Sequence, residues 1–214
     1  MDVESLLSQE TDLSELKEKN LTVAPNGTLY RRDKKGFLPE LMEKIYADRV
    51  LYKKKMLNAQ QRKEEGEDVG NEIAKNLNIQ MAKKIQLNSA YGALGNQWFR
   101  YFDLRNAEAV TTGGQLAIRW IEKHLNDFLN KYLDTKDYDY VVAIDTDSVY
   151  LRLGSFVDKF IKTDDKNKIC DVIDKATREA FEPSIDKSYQ ELADYVNAVD
   201  QKMDMGREVI ARGH

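Results

Sequence analysis

The stretch Tyr138–Gly154, YDYVVAIDTDSVYLRLG, decides the fold of one half of this sequence. Its β-branched and aromatic residues predict two strands that meet at Asp145-Thr146-Asp147. Because positions i and i+2 of a strand face the same way, Asp145 and Asp147 are predicted to point at one spot. Two close carboxylates repel each other unless a cation lies beside them. A metal site and an ordinary turn both remain open, since Asp is also a common turn residue.

The composition narrows the kinds of site that the chain can build. The sequence has 214 residues, of which 33% are charged and 42% hydrophobic, as is usual for one domain or two lobes. A single cysteine, Cys170, excludes an internal disulfide framework and a multi-cysteine zinc site. The two histidines, His124 and His214, make a histidine-based metal site or a Ser-His-Asp triad improbable. A metal is therefore expected to be held by carboxylates, as Mg²⁺, Mn²⁺ and Ca²⁺ are.

The net charge of −4 hides an asymmetry along the chain. Residues 31–63 contain eleven basic and four acidic side chains, whereas residues 155–204 contain eight basic and twelve acidic ones. This distribution predicts a surface that faces a polyanion on one part of the molecule only.

Hydrophobic spacing predicts long helices on both sides of the quoted stretch. Two helices, 39–63 and 71–89, flank the polar segment EEGEDVGNE, and the second carries apolar residues four apart, namely Ile73, Leu77, Met81 and Ile85. Because the connection is short, the pair is predicted to form an antiparallel hairpin. A third helix is predicted over about 105–132 and a fourth over about 167–197.

The remaining segments predict smaller elements. The first twenty residues predict a short helix or a mobile leader, Asn26-Gly27 predicts a small strand hairpin, and residues 205–211 predict a closing strand. The fold class is therefore α+β, with a long antiparallel helical hairpin attached to a partial antiparallel sheet with packing helices.

The helical hairpin carries a basic face. Arg49 and Lys53 are four apart on the first helix, and Lys84 and Asn88 are four apart on the second, so each pair shares one helical face. In an antiparallel hairpin both faces can line one cleft and hold a polyphosphate. A solvated basic face is the alternative.

Three motifs together resemble the family B replicative DNA polymerases, in particular those of large tailed (myovirus-type) bacteriophages. KKIQLNSAYGALGN (83–96) resembles the family motif K-x-x-x-N-S-x-Y-G, and DTDSVY (145–150) resembles its D-T-D-S turn. The stretch WFRYFDLRNAEAVTTGGQLAIRWIE (98–122) is similar to the phage enzymes, and Arg49 and Lys53 occupy the places of the family's triphosphate-binding cations. The resemblance runs from about Val23 to Ala211.

The resemblance implies domains and roles for particular residues. It implies a leader and small hairpin at the palm edge over 1–38, a fingers helical hairpin over 39–96, and a partial palm with the DTD hairpin over 97–214. The substrates would be deoxynucleoside triphosphates and primer–template DNA, and two Mg²⁺ ions would serve catalysis. The implied site residues are Arg49 and Lys84 for the phosphates with Lys53 and Asn88 as weaker contacts, Tyr91 and Gly92 for the nascent base pair, Asp147 as a metal ligand, and Asp145 as a catalytic residue that tunes the site.

The sequence also departs from the family pattern. The upstream aspartate motif D-x-x-S-L-Y-P is absent, and its nearest match, DVESLLS, agrees only at Asp2, Ser5 and Leu6. Ile144 stands where the family usually has a small residue, and a branched side chain there would crowd the primer terminus or mark a divergent member. We therefore expect the chain to be the fingers and central palm of a polymerase, inactive alone. The missing parts, including an exonuclease and the upstream palm, would come from a second polypeptide, or the reading frame would be truncated.

Other functions remain open from the sequence. A non-catalytic nucleotide- or DNA-binding module and a helical scaffold without a chemical role are the alternatives. The aromatic residues after the K-x-x-x-N-S-x-Y-G motif are predicted to anchor the helical hairpin or to stack on bases, namely Trp98, Phe99, Tyr101 and Phe102. By resemblance, the chain would act in the cytoplasm of an infected bacterial host.

Overall fold

The structure, a computed structural model, describes residues 1–163 and 165–211, and His214 lies outside them. The helices are α1 Val3–Leu7, α2 Ser14–Glu18, α3 Phe37–Glu64, α4 Gly70–Leu94, α5 Leu104–Leu133, α6 Gly154–Phe160, α7 Lys166–Ala176 and α8 Glu182–Tyr195. The strands are β1 Leu21–Val23, β2 Leu29–Arg31, β3 Val141–Asp145 and β4 Ser148–Leu151, and they form two antiparallel two-stranded sheets, β1-β2 and β3-β4. The predicted α+β class is confirmed at this level.

The chain divides into two compact units. The first contains Met1–Arg32 and Ala109–His214, and the second contains Asp33–Glu108.

The core of the first unit is built on α5, whose apolar residues recur at helical spacing. One buried cluster joins α5 to α8 and to the N-terminal segment; its members are Leu6, Leu13, Val23, Leu116, Ala117, Trp120, Ile121, Leu125, Ile185, Tyr189 and Leu192. A second cluster lies at the other end of α5 and contains Leu129, Leu133, Tyr140, Phe156 and Phe181. These clusters support the β3-β4 pair, because Leu151 packs against both of them.

Two polar contacts lie between α5 and α8. The indole Nε1 of Trp120 donates to the hydroxyl of Ser188 at 3.0 Å. Four residues along α5, Nε2 of His124 lies 2.8 Å from Oγ of Ser184. The equal spacing on the two helices shows that α5 and α8 run antiparallel along this contact.

The N-terminal segment forms the short helices α1 and α2 and packs into the core of the first unit. Leu6 is completely buried. The side chain of Asn197, which follows α8, donates to the carbonyl oxygen of Leu21 at 2.7 Å. Of the two predictions for this segment, the helical one is confirmed.

The second unit is dominated by the antiparallel hairpin of α3 and α4. Arg62 pairs with Glu72 near the connecting loop, and Lys83 pairs with Asp48 at 3.0 Å farther from it. The side chains buried in this hairpin are Ala59, Asn76 and Gln80. The predicted apolar stripe of α4 is not its buried face, because Leu77, Met81 and Ile85 are all exposed.

The remaining sequence predictions for the first unit are one helix and one strand. The helix predicted over about 167–197 is confirmed, because α7 and α8 continue into each other through a π-helical turn, Thr177–Phe181. The short helix α6 was not predicted, and it forms because Phe156 is buried in the second cluster. Residues 205–211 form no strand. Among the described residues, no helix has the length and apolar character needed to span a membrane.

Candidate functional site

The predicted carboxylates lie on the hairpin Val141–Leu151, here called the carboxylate hairpin. Asp145 is the last residue of β3 and pairs with Ser148, so Thr146 and Asp147 form a two-residue loop. Both carboxylates are exposed. The argument from strand alternation was wrong for Asp147, because this residue belongs to the loop and not to a strand.

Hydrogen bonds from the next three residues surround Asp145. Its carbonyl oxygen accepts from the backbone N–H of Asp147 at 2.6 Å and from the hydroxyl of Ser148 at 3.1 Å. Its side-chain Oδ1 accepts from the hydroxyl of Thr146 at 3.1 Å. These hydrogen bonds therefore restrain the conformation of both the backbone and the side chain of Asp145.

Ile144 lies on the other face of the carboxylate hairpin. It pairs with Val149, and Val149 packs against the first core cluster. Because adjacent strand residues point to opposite faces, Ile144 shares the face of Val149, and Asp145 does not. The branched residue Ile144 therefore lies on the core side of the carboxylate hairpin.

The carboxylate hairpin offers two candidate metal ligands. In residues 1–163 and 165–211 no group of three or more His, Cys, Asp or Glu side chains is placed to hold a metal ion. Mg²⁺ is commonly bound by one or two carboxylates together with substrate phosphates and water. Asp145 and Asp147 supply oxygen donors of the kind that Mg²⁺ prefers, and a bound ion would need further ligands besides these two.

The predicted phosphate-binding residues lie in the second unit, on α3 and α4. Arg49 is half-buried, whereas Lys53, Lys84 and Asn88 are exposed. The Nε atom of Arg49 is buried without a hydrogen-bond partner in the described part of the chain. Lys83, which directly precedes Lys84 on α4, forms an ion pair with Asp48, with Nζ and Oδ2 3.0 Å apart. The hairpin thus holds Arg49 in a partly buried position, whereas Lys53, Lys84 and Asn88 are open to solvent.

Tyr91 and Gly92 lie in the last turn of α4. The ring of Tyr91 is exposed. A Cβ atom added at Gly92 would meet no atom within 4 Å, apart from neighbouring residues and the backbone of its own helix. The packing of the chain therefore does not require glycine at this position.

The aromatic segment after α4 is only partly packed. Tyr101 contacts Phe37 with ring centroids 4.7 Å apart, and the Arg100 guanidinium lies 5.7 Å from the centroid of the Tyr101 ring. Trp98 is 86% exposed. Within the second unit, an anchoring role is supported for Tyr101 but not for Trp98.

Asp2 has a local structural role. Its carboxylate accepts from the backbone N–H of Ser5 at 2.8 Å and caps α1, and this hydrogen bond lowers the pKa of Asp2. The match of DVESLLS to the upstream polymerase motif is thus accounted for by helix capping.

Sequence reasoning missed Thr146 and the Asp48–Lys83 pair. Thr146 has a positive φ of 53° in the hairpin loop, where Gly, Asn and Asp are usual. The sequence signal for this strained position was a β-branched residue in a two-residue loop. For the ion pair, the signal was the opposite charges at facing positions of an antiparallel helix pair.

Comparisons with known proteins agree with the motifs. The sequence model described as DNA polymerase family B matches residues 3–193, starting upstream of Val23. Two curated relatives, each described as DNA-directed DNA polymerase, come from Escherichia phage RB69 and Enterobacteria phage T4. The chain is 36% identical to the first over 233 residues and 33% identical to the second over 234 residues. The matches cover 88% of this chain but 26% of each relative, so the chain spans about a quarter of their length.

Proposed function

The chain belongs to DNA polymerase family B, and from that membership we propose that it takes part in template-directed DNA synthesis. In this proposal α3 and α4 are the fingers, and the carboxylate hairpin belongs to the palm of a larger enzyme. A primer 3′-hydroxyl attacks the α-phosphate of a deoxynucleoside triphosphate, and pyrophosphate leaves. The observation that carries the proposal is the family match across residues that include both the helical hairpin and the carboxylate hairpin.

The residues of the helical hairpin would bind the nucleotide. Arg49 and Lys84 hold the triphosphate, with Lys53 and Asn88 as weaker contacts, since guanidinium and ammonium groups form strong hydrogen bonds to phosphate oxygens. The exposure of Lys53, Lys84 and Asn88 supports this assignment, because their polar ends are open to a ligand. Tyr91 and Gly92 lie against the nascent base pair, where an exposed ring offers a stacking surface and glycine allows close approach.

The carboxylate hairpin would hold Mg²⁺. Asp147 is the direct ligand, and Asp145 adds negative charge and tunes the site. Bound Mg²⁺ in such sites neutralises phosphate charge and activates the attacking oxygen, commonly as a pair of ions. Asp145 and Asp147 do not by themselves fix two ions, so we propose that a second polypeptide with the exonuclease and upstream palm supplies the other ligands.

The two phage relatives also support a proposal about where the chain acts. The chain would act on primer–template DNA in the cytoplasm of an infected bacterial cell. A second candidate function is a non-catalytic nucleotide- or DNA-binding module. In that function the exposed Lys53, Lys84 and Asn88 would bind phosphate groups without catalysis.

Primer extension with Mg²⁺ tests the proposal. The chain is mixed with a polypeptide that carries the exonuclease and upstream palm, and extension is measured for the wild type, Asp147→Ala and Asp171→Ala. We expect extension by the wild type and by Asp171→Ala, an exposed aspartate on α7, and its loss in Asp147→Ala. A stable complex without extension, combined with triphosphate binding that requires Arg49, would instead support the binding module.

A further inference from the structure

Thr146 adopts a backbone conformation that its side chain disfavours. Its φ is 53°, in the left-handed region. For a β-branched residue such a φ is an outlier, because the branched side chain crowds the backbone. The backbone N–H of Asp147 donates to the carbonyl oxygen of Asp145 at 2.6 Å, which closes a three-residue turn over Thr146. A turn of this kind with positive φ at its centre is rare and strained.

The Thr146 side chain has a contact that glycine could not make. Its hydroxyl donates to Oδ1 of Asp145 at 3.1 Å. Glycine would accept the positive φ without strain, but it would leave the Asp145 carboxylate free to rotate. Thr146 therefore both strains the loop and restrains the adjacent Asp145 carboxylate. Backbone strain of this kind is concentrated at functional sites, where the surrounding structure maintains it.

We propose that Thr146 is a positioning residue of the carboxylate hairpin. Its hydroxyl fixes the rotamer of Asp145, and its left-handed backbone places Asp147 in the loop directly before β4. The Asp145 carboxylate and the backbone of Asp147 are thereby held in a defined arrangement before any ligand arrives. This inference rests on the proposed function only for its catalytic consequence.

Three substitutions separate the hydroxyl from the backbone strain. Thr146→Ser keeps the hydroxyl, and Thr146→Val keeps the branched shape without it. Thr146→Gly removes both the hydroxyl and the strain. Comparison of Thr146→Ser with Thr146→Val therefore tests the role of the hydroxyl. Comparison of Thr146→Gly with Thr146→Val tests the role of the backbone strain.

Side-chain scalar couplings of Asp145, measured by NMR on the isotopically labelled chain, are the decisive readout. We expect one dominant χ1 rotamer in the wild type and in Thr146→Ser, and rotamer-averaged couplings in Thr146→Val and Thr146→Gly. Unchanged couplings in Thr146→Val would overturn the role of the hydroxyl. Thr146→Gly should unfold at a higher urea concentration than Thr146→Val, and an equal or lower midpoint would overturn the role of strain.

A second readout addresses catalysis in the mixed enzyme described above. Thr146→Val should lower kcat for extension by about tenfold or more, with little change in KM for the nucleotide, because misplaced catalytic groups slow chemistry more than binding. Thr146→Ser should retain most of kcat. An unchanged kcat in Thr146→Val would overturn the catalytic consequence. If the wild-type mixture does not extend primers, the proposed function fails, while the couplings of Asp145 still decide the positioning role.

Discussion

Asp48 on α3 and Lys83 on α4 form an ion pair of 3.0 Å, and each directly precedes one of the two residues proposed to hold the triphosphate, Arg49 and Lys84. Both partners of the pair are partly exposed, so its contribution to the free energy of unfolding is modest. The ion pair acts on the register of the helical hairpin, because it aligns α3 and α4 at the level of Asp48 and Lys83. The pair also neutralises Lys83, whereas Nε of Arg49 is buried without a hydrogen-bond partner among the described residues.

The first prediction concerns triphosphate affinity. Lys84→Gln and Arg49→Gln should each weaken binding of a deoxynucleoside triphosphate by about tenfold or more, because each removes a charge-assisted hydrogen bond of about 1.5–3 kcal/mol. Isothermal titration calorimetry with Mg²⁺ present measures the change. Lys75→Gln is the matched control, since Lys75 is exposed and lies nine residues, or two and a half turns, before Lys84 on the opposite face of α4. Equal weakening in all three variants would point to general charge attraction instead.

The second prediction concerns Gly92. Because a Cβ at this position meets no other part of the chain within 4 Å, Gly92→Ala should leave the fold intact. Alanine should even stabilise α4, by at most about 1 kcal/mol, since it is the better helix former. Extension by the mixed enzyme should nevertheless fall, because the methyl group would occupy space proposed for the nascent base pair. Circular dichroism during urea unfolding and primer extension check the two effects, and full extension by this variant would remove Gly92 from the site.

The third prediction is a dependence of stability on pH through His124. Burial between α5 and α8 lowers the pKa of His124 below its ordinary value of 6.5, although Glu191 and Asp127 oppose the shift. As pH falls below 6.5 the unfolded chain binds the proton more readily, so the free energy of unfolding should decrease until the folded pKa is passed. Above pH 6.5 this contribution is fully present.

Urea unfolding of the wild type and His124→Gln between about pH 5 and 8 measures this contribution. The decrease below the ordinary histidine pKa should be smaller in the variant. Identical pH profiles for the two proteins would show that His124 is protonated equally in the folded and unfolded states.

The fourth prediction concerns the N-terminal segment. Leu6 is completely buried in the first core cluster, so Leu6→Ala should lower the free energy of unfolding by about 2–5 kcal/mol. Leu29→Ala, at a half-exposed position of β2, should cost about 1 kcal/mol or less. Chemical denaturation compares the two variants. Equal small losses would mean that α1 contributes little to the core.

The long helices were predictable because their signals are local. The predicted ends of the helices over 39–63 and 105–132 lie within two residues of α3 and α5. The strand pair around Asp145 was also found, because β-branched residues flank a short polar turn. The Leu77–Ile85 stripe was assigned correctly to one face of α4, but a sequence pattern does not specify whether that face is buried, and here it is exposed.

The missed features depend on tertiary contacts. Helix α6 has seven residues and no side-chain cap, so its formation depends on burial of Phe156. The positive φ of Thr146 results from closure of the loop between β3 and β4, which no propensity scale anticipates. The site roles from Arg49 to Asp147 came from motif resemblance, and they remain predictions for the experiments above.

The π-helical turn Thr177–Phe181 is a place where the length of this chain can change. Such a turn contains one residue more than an α-helical turn would. Removing one of its residues would leave a regular turn of nearly the same rotation, so the residues that follow would keep their orientation. Ile185 and Tyr189 would then stay on the face that packs on α5, as would Ser188, the partner of Trp120. A one-residue deletion here should therefore be more acceptable to the protein than the same deletion at the start of α8, which would rotate that face by about 100°.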